Sequence, residues 1–166
     1  MNLARFFSED MIKLEMTTVI EPLGENESVT KWRQRGKELI LEELLNLLET
    51  HNRIGNRNKL MLDFINREKQ YTTGIGHGVA IPHIRSKQAK AFMIAFARSS
   101  QGYDFDAIDK KPAHLFFIMA SPPYDDDLYL KVFKQLAGMM QYESFRKELM
   151  EYETPGEIIR AIRAME

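Results

Sequence analysis

Ten consecutive residues near the middle of the chain, Gly74-Ile75-Gly76-His77-Gly78-Val79-Ala80-Ile81-Pro82-His83, constrain the fold more than any other segment. Three glycines in five positions allow the backbone to turn sharply and to expose its N–H groups. The apolar run that follows is typical of a short buried strand, and Pro82 stiffens its exit. The pattern predicts that His83 is presented at the end of a strand, close to backbone donors that suit an anion.

The order of helical and strand patterns around this segment predicts an α/β fold. The predicted strands are 11–22, 79–81, 91–97 and 114–120, with a turn at 99–102. The predicted helices are 37–49, 59–69, 125–140, 142–152 and one that begins at the capping box Thr154-Pro155-Gly156-Glu157. Central strands with helices on both sides favour a three-layer α/β/α sandwich. Short links between the strands favour a small mixed sheet.

The length of 166 residues and a hydrophobic fraction of 44% predict a single domain with one packed core. Residues 1–10 are expected to form an N-terminal extension. The polar stretch 23–35 is expected to be a loop inserted between the first strand and the first long helix.

Composition and charge exclude several classes of function. The formal net charge is −1, so no overall field favours nucleic acid or an anionic membrane. There are no cysteines, which excludes disulfides, zinc–thiolate sites and thiol nucleophiles. Uninterrupted apolar stretches such as Leu115–Ala120 are too short to cross a membrane, and the N-terminal residues lack the pattern of a secretory signal. A soluble cytoplasmic protein without membrane insertion is therefore expected.

His83 has the chemistry of a phosphoryl acceptor. An imidazole with an ordinary pKa of about 6.5 is a neutral nucleophile at physiological pH, provided that an acceptor holds the proton on its second nitrogen. The phosphorylated product carries about −1.5 to −2 charges, by analogy with other phosphorylated side chains, and needs donors nearby. The glycine turn 74–78, the guanidinium of Arg67 and the hydroxyls of Thr72 and Thr73 are the candidate donors.

The same residues also allow less specific interpretations. A histidine after a buried strand is commonly structural, and Arg67 at a helix end interacts favourably with the helix dipole in any case. A metal site formed by His77 and His83 is a third hypothesis. It is a weak one, since no aspartate, glutamate or cysteine set lies at ligand spacing, and neither a metal nor an organic cofactor is expected.

Several motifs together indicate a family. They are Arg67-Glu68, Thr73-Gly74-Ile75-Gly76, Gly78-Val79-Ala80-Ile81-Pro82-His83, Phe105-Asp106-Ala107-Ile108-Asp109 with Pro112, and the strand that ends at Pro122 before a long helix. With these motifs the chain resembles the fructose/mannitol-type (type 2) enzyme IIA domain of the bacterial phosphoenolpyruvate:sugar phosphotransferase system, and most of all its stand-alone nitrogen-regulatory form. The resemblance covers roughly residues 35–165 and a predicted strand near 11–20.

The resemblance implies that His83 accepts a phosphoryl group from an HPr-like histidine phosphocarrier and that Arg67 stabilises the product. Thr73, Gly74, Gly76 and Gly78 would support the site. The downstream partner implied is a IIB domain or a regulatory target protein.

Two positions depart from the family pattern. Many members carry a second histidine that faces the first, and here Tyr129 or a neighbouring residue occupies that place. The residue after the active histidine is usually small, whereas this chain has Ile84, whose side chain is expected to narrow the approach of a partner. These departures point either to a slow, sensory phosphorylation site or to a domain that has lost phosphotransfer.

Two functions from different classes thus remain at this point. The first is a phosphocarrier or regulatory phosphotransferase that uses His83. The second is a regulatory binding module that retains the fold, performs no chemistry, and binds a transporter or kinase.

Overall fold

The computed structural model of the chain describes residues 2–166, with the backbone alone for Asp126. This part contains five α-helices, three short 3-10 helices and six strands in one sheet. The strands are β1 (Ile12–Lys13), β2 (Gly74–Gly76), β3 (Val79–Ala80), β4 (His83–Arg85), β5 (Met93–Tyr103) and β6 (Ala113–Ser121). The helices are α1 (Val29–Leu48), α2 (Arg57–Gln70), α3 (Asp126–Met139), α4 (Glu143–Glu151) and α5 (Pro155–Met165).

The sheet is mixed, as predicted. Its order is β1-β5-β6-β3-β2, and β4 pairs with β6 beyond the end of β3. Strands β5 and β6 are antiparallel, while β3 and β4 both run parallel to β6. Since β5 occupies one edge of β6, β3 and β4 lie one after the other along its opposite edge. The short link Ile81-Pro82 joins them.

Alternation of side chains along β6 divides the core into two halves, one on each face of the sheet. Leu115, Phe117 and Met119 pack with α3, α4 and α5, while the intervening residues pack with α1 and α2. The predicted three-layer α/β/α sandwich is therefore confirmed. His83 lies on the α3 side of this sheet.

The predicted N-terminal extension and the predicted inserted loop both contain helical residues. Within residues 2–10, the 3-10 helix Leu3–Phe6 packs beside α5, and Leu3 and Ala4 are buried. The expected loop 23–35 ends early, because α1 begins at Val29. Its N-cap is Ser28, whose hydroxyl accepts a hydrogen bond from the N–H of Lys31 at 3.2 Å.

Two strand predictions were wrong in extent. The strand predicted for 11–22 is only the two residues of β1, because Thr17 and Thr18 bond to the carboxylate of Glu43 instead of a neighbouring strand. The turn predicted for 99–102 is part of β5. That strand continues to Tyr103 through a register shift, and Gly102 adopts a φ of 81° there.

The helices after the sheet agree closely with their predicted positions. Thr154 is the N-cap of α5, as predicted: its hydroxyl accepts from the N–H of Glu157 at 3.3 Å and donates to the Glu157 carboxylate at 3.0 Å, and Pro155 is the first helical residue. Within residues 2–166, no helix has the length and apolar character needed to cross a membrane.

Candidate active site

His83 is the first residue of β4 and is fixed on three sides. The strand pairs it with Met119 of β6, and the N–H of Met119 donates to the carbonyl of Pro82 at 2.9 Å. Its ring packs against two aromatic side chains of α3. The ring centroids lie 5.7 Å from Tyr129 and 4.7 Å from Phe133. Tyr129 and Phe133 are four residues apart, so they share one face of the helix.

The backbone sets the tautomer of His83. Its Nδ1 lies 2.5 Å from the carbonyl oxygen of Ile81. A carbonyl oxygen only accepts hydrogen bonds, so Nδ1 carries the proton. In a neutral ring, the lone pair is then on Nε2. The proline between the two residues helps to hold this geometry, because its ring restricts the backbone between acceptor and donor.

The surroundings of His83 favour the neutral ring. Burial lowers the pKa of the imidazole below its usual 6.5, the hydrogen bond to Ile81 opposes that effect, and the positive charge of Arg67 lowers the pKa further. The negative charge of Glu68 acts in the opposite direction. The net result is a ring that stays uncharged at neutral pH, with a nucleophilic nitrogen and a nearby cation.

Arg67 lies near the end of α2, close enough to His83 to affect its protonation. One guanidinium nitrogen donates to the carbonyl of Tyr71 at 2.8 Å, which anchors the side chain at the end of the helix. The structure thus places Arg67 near His83, while its predicted role as stabiliser of a phosphoryl group stays a prediction. This placement also gives the favourable interaction of a cation with a helix C-terminus, so the structural and functional interpretations are compatible.

A buried ion pair attaches this end of α2 to the neighbouring elements. The ammonium of Lys37 in α1 lies 2.9 Å from the carboxylate of Glu68, and their side chains are only 6% and 2% exposed. The same carboxylate accepts from the N–H of Thr73 at 3.2 Å and from the Thr73 hydroxyl. In turn, the carbonyl of Thr73 accepts from the N–H of Ile81 at 3.0 Å. Glu68 therefore links both helices to the strand that leads into His83.

The threonine hydroxyls differ from their predicted role as donors to an anion. Thr73 is buried and its hydroxyl is bonded to Glu68, while the hydroxyl of Thr72 donates to the carbonyl of Phe105 at 3.1 Å. Both side chains are thus already engaged within the fold. Thr73 supports the site by holding the backbone beside Ile81.

The glycine turn also has a different position from the one expected. Gly76, His77 and Gly78 all have positive φ values, between 58° and 92°, and reverse the chain between β2 and β3. The register places Val79 opposite Leu115 and His83 opposite Met119, so the turn lies about 13 Å from His83 along β6. Its N–H groups are therefore not the donors nearest to the imidazole.

Gly74 has a separate structural reason to be glycine. A Cβ at this position would lie 2.8 Å from the Cα of Ala107, which is too close for any side chain. The carbonyl of Gly74 also accepts from the N–H of Ile108 at 3.0 Å. Gly74 thus allows the segment Phe105–Asp109 to pack against β2, and its contribution to the site is indirect.

The structure separates the two histidines of the hypothetical metal site. His77 is in the turn at the start of β3, and its N–H donates to Asp109 at 3.0 Å, whereas His83 lies beyond the other end of that strand. Within residues 2–166, no group of three or more histidine, cysteine, aspartate or glutamate side chains is arranged to hold a metal ion. The geometry gives this hypothesis no support.

The two departures from the family pattern have different structural consequences. Tyr129 does face His83, as expected for the position of a second histidine. Ile84, however, packs on the opposite side of the sheet, against the cluster formed with α1 and α2. Alternation along β4 directs its side chain away from the imidazole. The expected narrowing of the approach to His83 by Ile84 is therefore wrong.

Several residues around His83 were not singled out from the sequence. Phe133 covers the ring and could have been found from its spacing of four residues from Tyr129. Arg85 is two residues after His83 and therefore on the same face of the strand, with its guanidinium carbon 5.1 Å from the ring centroid of Tyr129. No pattern in the sequence pointed to Lys37, because its partner Glu68 lies on another helix and far away along the chain.

The sequence of this chain is similar to those of a known protein family. Residues 24–165 match the model described as phosphoenolpyruvate-dependent sugar phosphotransferase system, EIIA 2. The chain belongs to this EIIA 2 family. It is 36% identical over 118 residues to the PTS system fructose-specific EIIA component of Haloferax volcanii, covering 71% of this chain and 77% of that protein.

Two further similarities place the EIIA 2 chain among proteins of differing length and role. It is 34% identical over 126 residues to the PTS system fructose-specific EIIABC component of Bacillus subtilis, covering 76% of this chain but only 20% of that protein. The crystal structure of the nitrogen regulatory protein IIA-Ntr from Neisseria meningitidis superposes with a TM-score of 0.79 at 29% identity, covering 96% of this chain and 98% of that one.

Membership of the EIIA 2 family supports a phosphoryl-carrier or regulatory role in the phosphotransferase system. It does not favour the hypothesis of a binding module without chemistry. Fructose-specific and nitrogen-regulatory proteins are both among the similar proteins, in keeping with the resemblance in the sequence to both forms.

Proposed function

We propose that the chain accepts a phosphoryl group on Nε2 of His83 from an HPr-like histidine phosphocarrier. The observation that carries the proposal is the hydrogen bond from Nδ1 of His83 to the carbonyl of Ile81. It leaves Nε2 as the nucleophilic nitrogen of a half-buried ring whose pKa is lowered by burial and by Arg67.

The proposed reaction is an in-line exchange between two histidine rings. The Nε2 lone pair of His83 forms a bond to phosphorus as the N–P bond of the donor histidine breaks, and the released electron pair remains on the donor ring. His83 keeps its Nδ1 proton and the donor ring keeps the proton on its other nitrogen. No proton transfer is therefore needed. Positioning and electrostatic stabilisation provide most of the catalysis in such a transfer.

Arg67 is the proposed stabiliser of the phosphorylated state. Its positive charge, which disfavours a proton on His83, favours a doubly charged phosphoryl group at the same place. Glu68 holds the end of α2 in position through Lys37 and Thr73 while its own charge is compensated by the ammonium. Gly74, Gly76 and Gly78 contribute by shaping the backbone that leads into β3.

The proposed downstream partner is a IIB domain or a regulatory target protein. The name of the Bacillus subtilis relative combines A, B and C components in one protein, while that of the Pseudomonas aeruginosa relative, 29% identical, is nitrogen regulatory protein. We place the reaction in the cytoplasm, where phosphoenolpyruvate is available to enzyme I as the source of the phosphoryl group.

The direct test is phosphorylation in a reconstituted system. The purified chain is incubated with phosphoenolpyruvate, enzyme I and HPr, and the incorporated phosphate is measured by intact mass. We expect one acid-labile, base-stable phosphoryl group in the native protein and none in His83→Ala. His77→Ala is the matched control, because it removes an exposed histidine from the distant turn and should retain full incorporation.

Two results would overturn the proposal. One is the failure of every cognate phosphocarrier to label the native chain. The other is full labelling of His83→Ala, which would place the phosphoryl group elsewhere.

A further inference from the structure

A series of direct hydrogen bonds runs from the buried carboxylate of Glu68 to the ring of His83. Nδ1 of His83 lies 2.5 Å from the carbonyl oxygen of Ile81. The N–H of Ile81 donates to the carbonyl of Thr73 at 3.0 Å. The N–H of Thr73 donates to one oxygen of the Glu68 carboxylate at 3.2 Å, and its hydroxyl donates to the other. Helix α2 is thereby connected to the imidazole through the backbone on both sides of β2 and β3.

Ile81 is the member of this series that decides which ring nitrogen carries the proton. The proton of a neutral imidazole stays on the nitrogen whose hydrogen bond is held by an acceptor. Thr73 holds the N–H of Ile81, and the carbonyl of the following Pro82 accepts from the N–H of Met119 at 2.9 Å. The acceptor of the Nδ1 proton is thus fixed from both sides. A displacement of Thr73 would move it away from His83.

The ion pair at the start of the series is a costly way to stabilise a fold. The side chains of Glu68 and Lys37 are 2% and 6% exposed. Two buried charges lose their hydration, and apolar residues in their place are often as stable or more stable. Stability is therefore a weak reason for this pair. Both oxygens of Glu68 instead hold Thr73, and the ammonium of Lys37 balances the charge of the carboxylate.

We propose that Glu68 is a positioning residue for phosphoryl transfer. By holding Thr73, it keeps the carbonyl of Ile81 where it retains the proton on Nδ1 of His83, so that the lone pair of Nε2 faces the incoming phosphorus. Lys37 allows the carboxylate to be buried for this purpose. This inference rests on the proposed phosphorylation of His83.

The test compares two uncharged double variants that differ in one acceptor. Lys37→Met/Glu68→Gln removes both charges and leaves an amide oxygen for the N–H of Thr73. Lys37→Met/Glu68→Leu removes both charges and also that oxygen. The negative charge of Glu68, which acts on the protonation of His83, is absent from both variants. A difference between them therefore reports the contact with Thr73.

Two measurements are made on each protein. ¹⁵N NMR of the unphosphorylated chain gives the share of neutral His83 rings that carry the proton on Nδ1. Intact mass of rapidly quenched samples gives the rate of phosphoryl transfer from phosphorylated HPr. We expect the double variant with Glu68→Gln to keep the native tautomer and a rate within about twofold of native. The one with Glu68→Leu should shift the proton towards Nε2 and slow the transfer about fivefold, because a hydrogen bond of the series is lost.

Thr73→Val and Thr73→Ser form a milder pair, which provides a readout even if Glu68→Leu prevents folding. Thr73→Val removes the hydroxyl that donates to Glu68 and keeps the backbone and a branched side chain. We expect a smaller shift of the proton towards Nε2 and a transfer about threefold slower. Thr73→Ser retains the hydroxyl and should keep the native values of both measurements.

Glu43→Gln is the matched control for a loss of stability alone. The buried carboxylate of Glu43 also pairs with a lysine and accepts from the N–H groups of Thr17 and Thr18. These contacts are beside β1, which lies on the opposite side of β5 and β6 from β4. The variant should be less stable than the native chain but should keep its tautomer at His83 and its transfer rate within about twofold.

The outcomes distinguish this inference from the proposed function. If the native chain is phosphorylated on His83 and the two double variants agree in both measurements, the role of Glu68 is wrong and the proposed function stands. Equal results for Thr73→Val and Thr73→Ser, or a shift of the proton in Glu43→Gln, contradict the role in the same way. If the native chain is not phosphorylated on His83, the proposed function fails, and the role in transfer falls with it.

Discussion

At the scale of single residues, the environment of His83 sets its charge before any partner binds. The ring is packed between β4 and two aromatic residues of α3, and its Nδ1 proton is held by Ile81. A charged imidazolium would be disfavoured by burial and by the positive charge of Arg67. The same features that make His83 a poor base make it a competent nucleophile at neutral pH.

The first prediction concerns the titration of this ring. Since burial and Arg67 lower the pKa of His83, a ¹⁵N NMR titration should show its protonation below pH 6.5. Arg67→Gln should raise the midpoint. The unfolded chain binds a proton at His83 before the folded chain does, so this residue lowers stability as the pH falls below about 6.5. A midpoint at or above 6.5 in the native protein would contradict this assignment.

The second prediction concerns the buried pair of Lys37 and Glu68. Glu68→Gln leaves the ammonium of Lys37 without an anion at a site with 6% exposure, and we expect a loss of about 3 kcal/mol in the free energy of unfolding. Adding Lys37→Met removes the unpaired charge and should recover part of the loss. Urea denaturation of the single and double variants measures both effects.

Glu143→Gln is the matched control for that pair. It breaks an ion pair with Lys147 in which both side chains are about 70% exposed, and it should change stability by less than about 0.5 kcal/mol. If Glu68→Gln were as mild as this control, Glu68 would not have the anchoring role described for it.

The chemistry of His83 could be predicted from its own residue type, but its neighbours could be predicted only in part. A histidine behind a proline at a strand end indicated a presented imidazole, and family resemblance directed attention to Arg67 and Tyr129. The second interaction of Glu68, with Lys37 on another helix, joins residues 31 positions apart and leaves no local pattern. The engagement of Thr73 with Glu68, five positions earlier, was missed because α2 ends between the two residues and no helical spacing relates them.

At the scale of elements, the site depends on close approach between β2 and the segment before β6. Gly74 allows this approach, since a Cβ would meet the backbone of Ala107 at 2.8 Å. The third prediction is that Gly74→Ala lowers stability by about 1 to 3 kcal/mol, because backbone has to move to make room. Thermal unfolding of the purified variant measures the change.

Gly138→Ala provides the comparison, as both changes add one methyl group. Gly138 lies in α3 with no atom within 4 Å of the added Cβ, so alanine should stabilise the helix by about 0.5 to 1 kcal/mol. Equal effects at the two positions would show that crowding at Gly74 does not limit the fold.

The fourth prediction concerns the irregular segment after β1, which Glu43 fastens to α1. Burial would raise the pKa of Glu43, but hydrogen bonds from Lys13, Thr18 and Thr17 lower it to about 2. The resulting stabilisation is complete above pH 4.5 and is lost as the pH falls towards 2. Because the side chain of Lys13 is 35% exposed, solvent screens its ion pair with Glu43 and reduces this stabilisation to about 1 to 2 kcal/mol.

Glu43→Gln tests this assignment when its unfolding is compared with that of the native chain at pH 7 and pH 3. The difference in stability between the two proteins should be larger at pH 7. An identical difference at both pH values would mean that the charge of Glu43 does not fasten the segment.

Element order and type could be predicted well where periodicity was strong. The stripes of α2 to α5 and the apolar run of β6 lie within a few residues of their predicted bounds. Predictions failed where a tertiary contact replaced the local pattern. Alternation at 11–22 did not produce a long strand, because the carboxylate of Glu43 took the N–H groups of Thr17 and Thr18. The second half of β5 was predicted as a turn, because the register of the strand shifts near Gly102.

At the scale of the whole molecule, the topology of the sheet explains why distant parts of the sequence meet at one site. Strands β3 and β4 follow each other along one edge of β6, so the chain leaves the sheet briefly at Ile81-Pro82. That link supplies the acceptor for Nδ1 of His83. Helix α2 supplies Arg67 from one side of the sheet, and α3 supplies Tyr129 from the other.

The position of the glycine turn illustrates what the sequence could not reveal at this scale. Adjacency along the chain indicated that Gly76 and Gly78 would lie beside His83. The parallel pairing of β3 and β4 with β6 instead directs the chain away from the turn, and the two features lie about 13 Å apart. The motif is continuous in sequence, but its two parts differ in role: the glycine turn shapes the fold, and His83 carries the proposed chemistry.

The fifth prediction identifies the atom that is phosphorylated, which is the central claim of this account. The chain is labelled with ¹⁵N in its histidine rings, phosphorylated through enzyme I and HPr, and studied by ¹H–¹⁵N and ³¹P NMR. We expect one phosphohistidine, at His83, with ¹⁵N–³¹P coupling at Nε2 and the proton retained on Nδ1. Coupling at Nδ1, or a phosphohistidine at any other position, would contradict it.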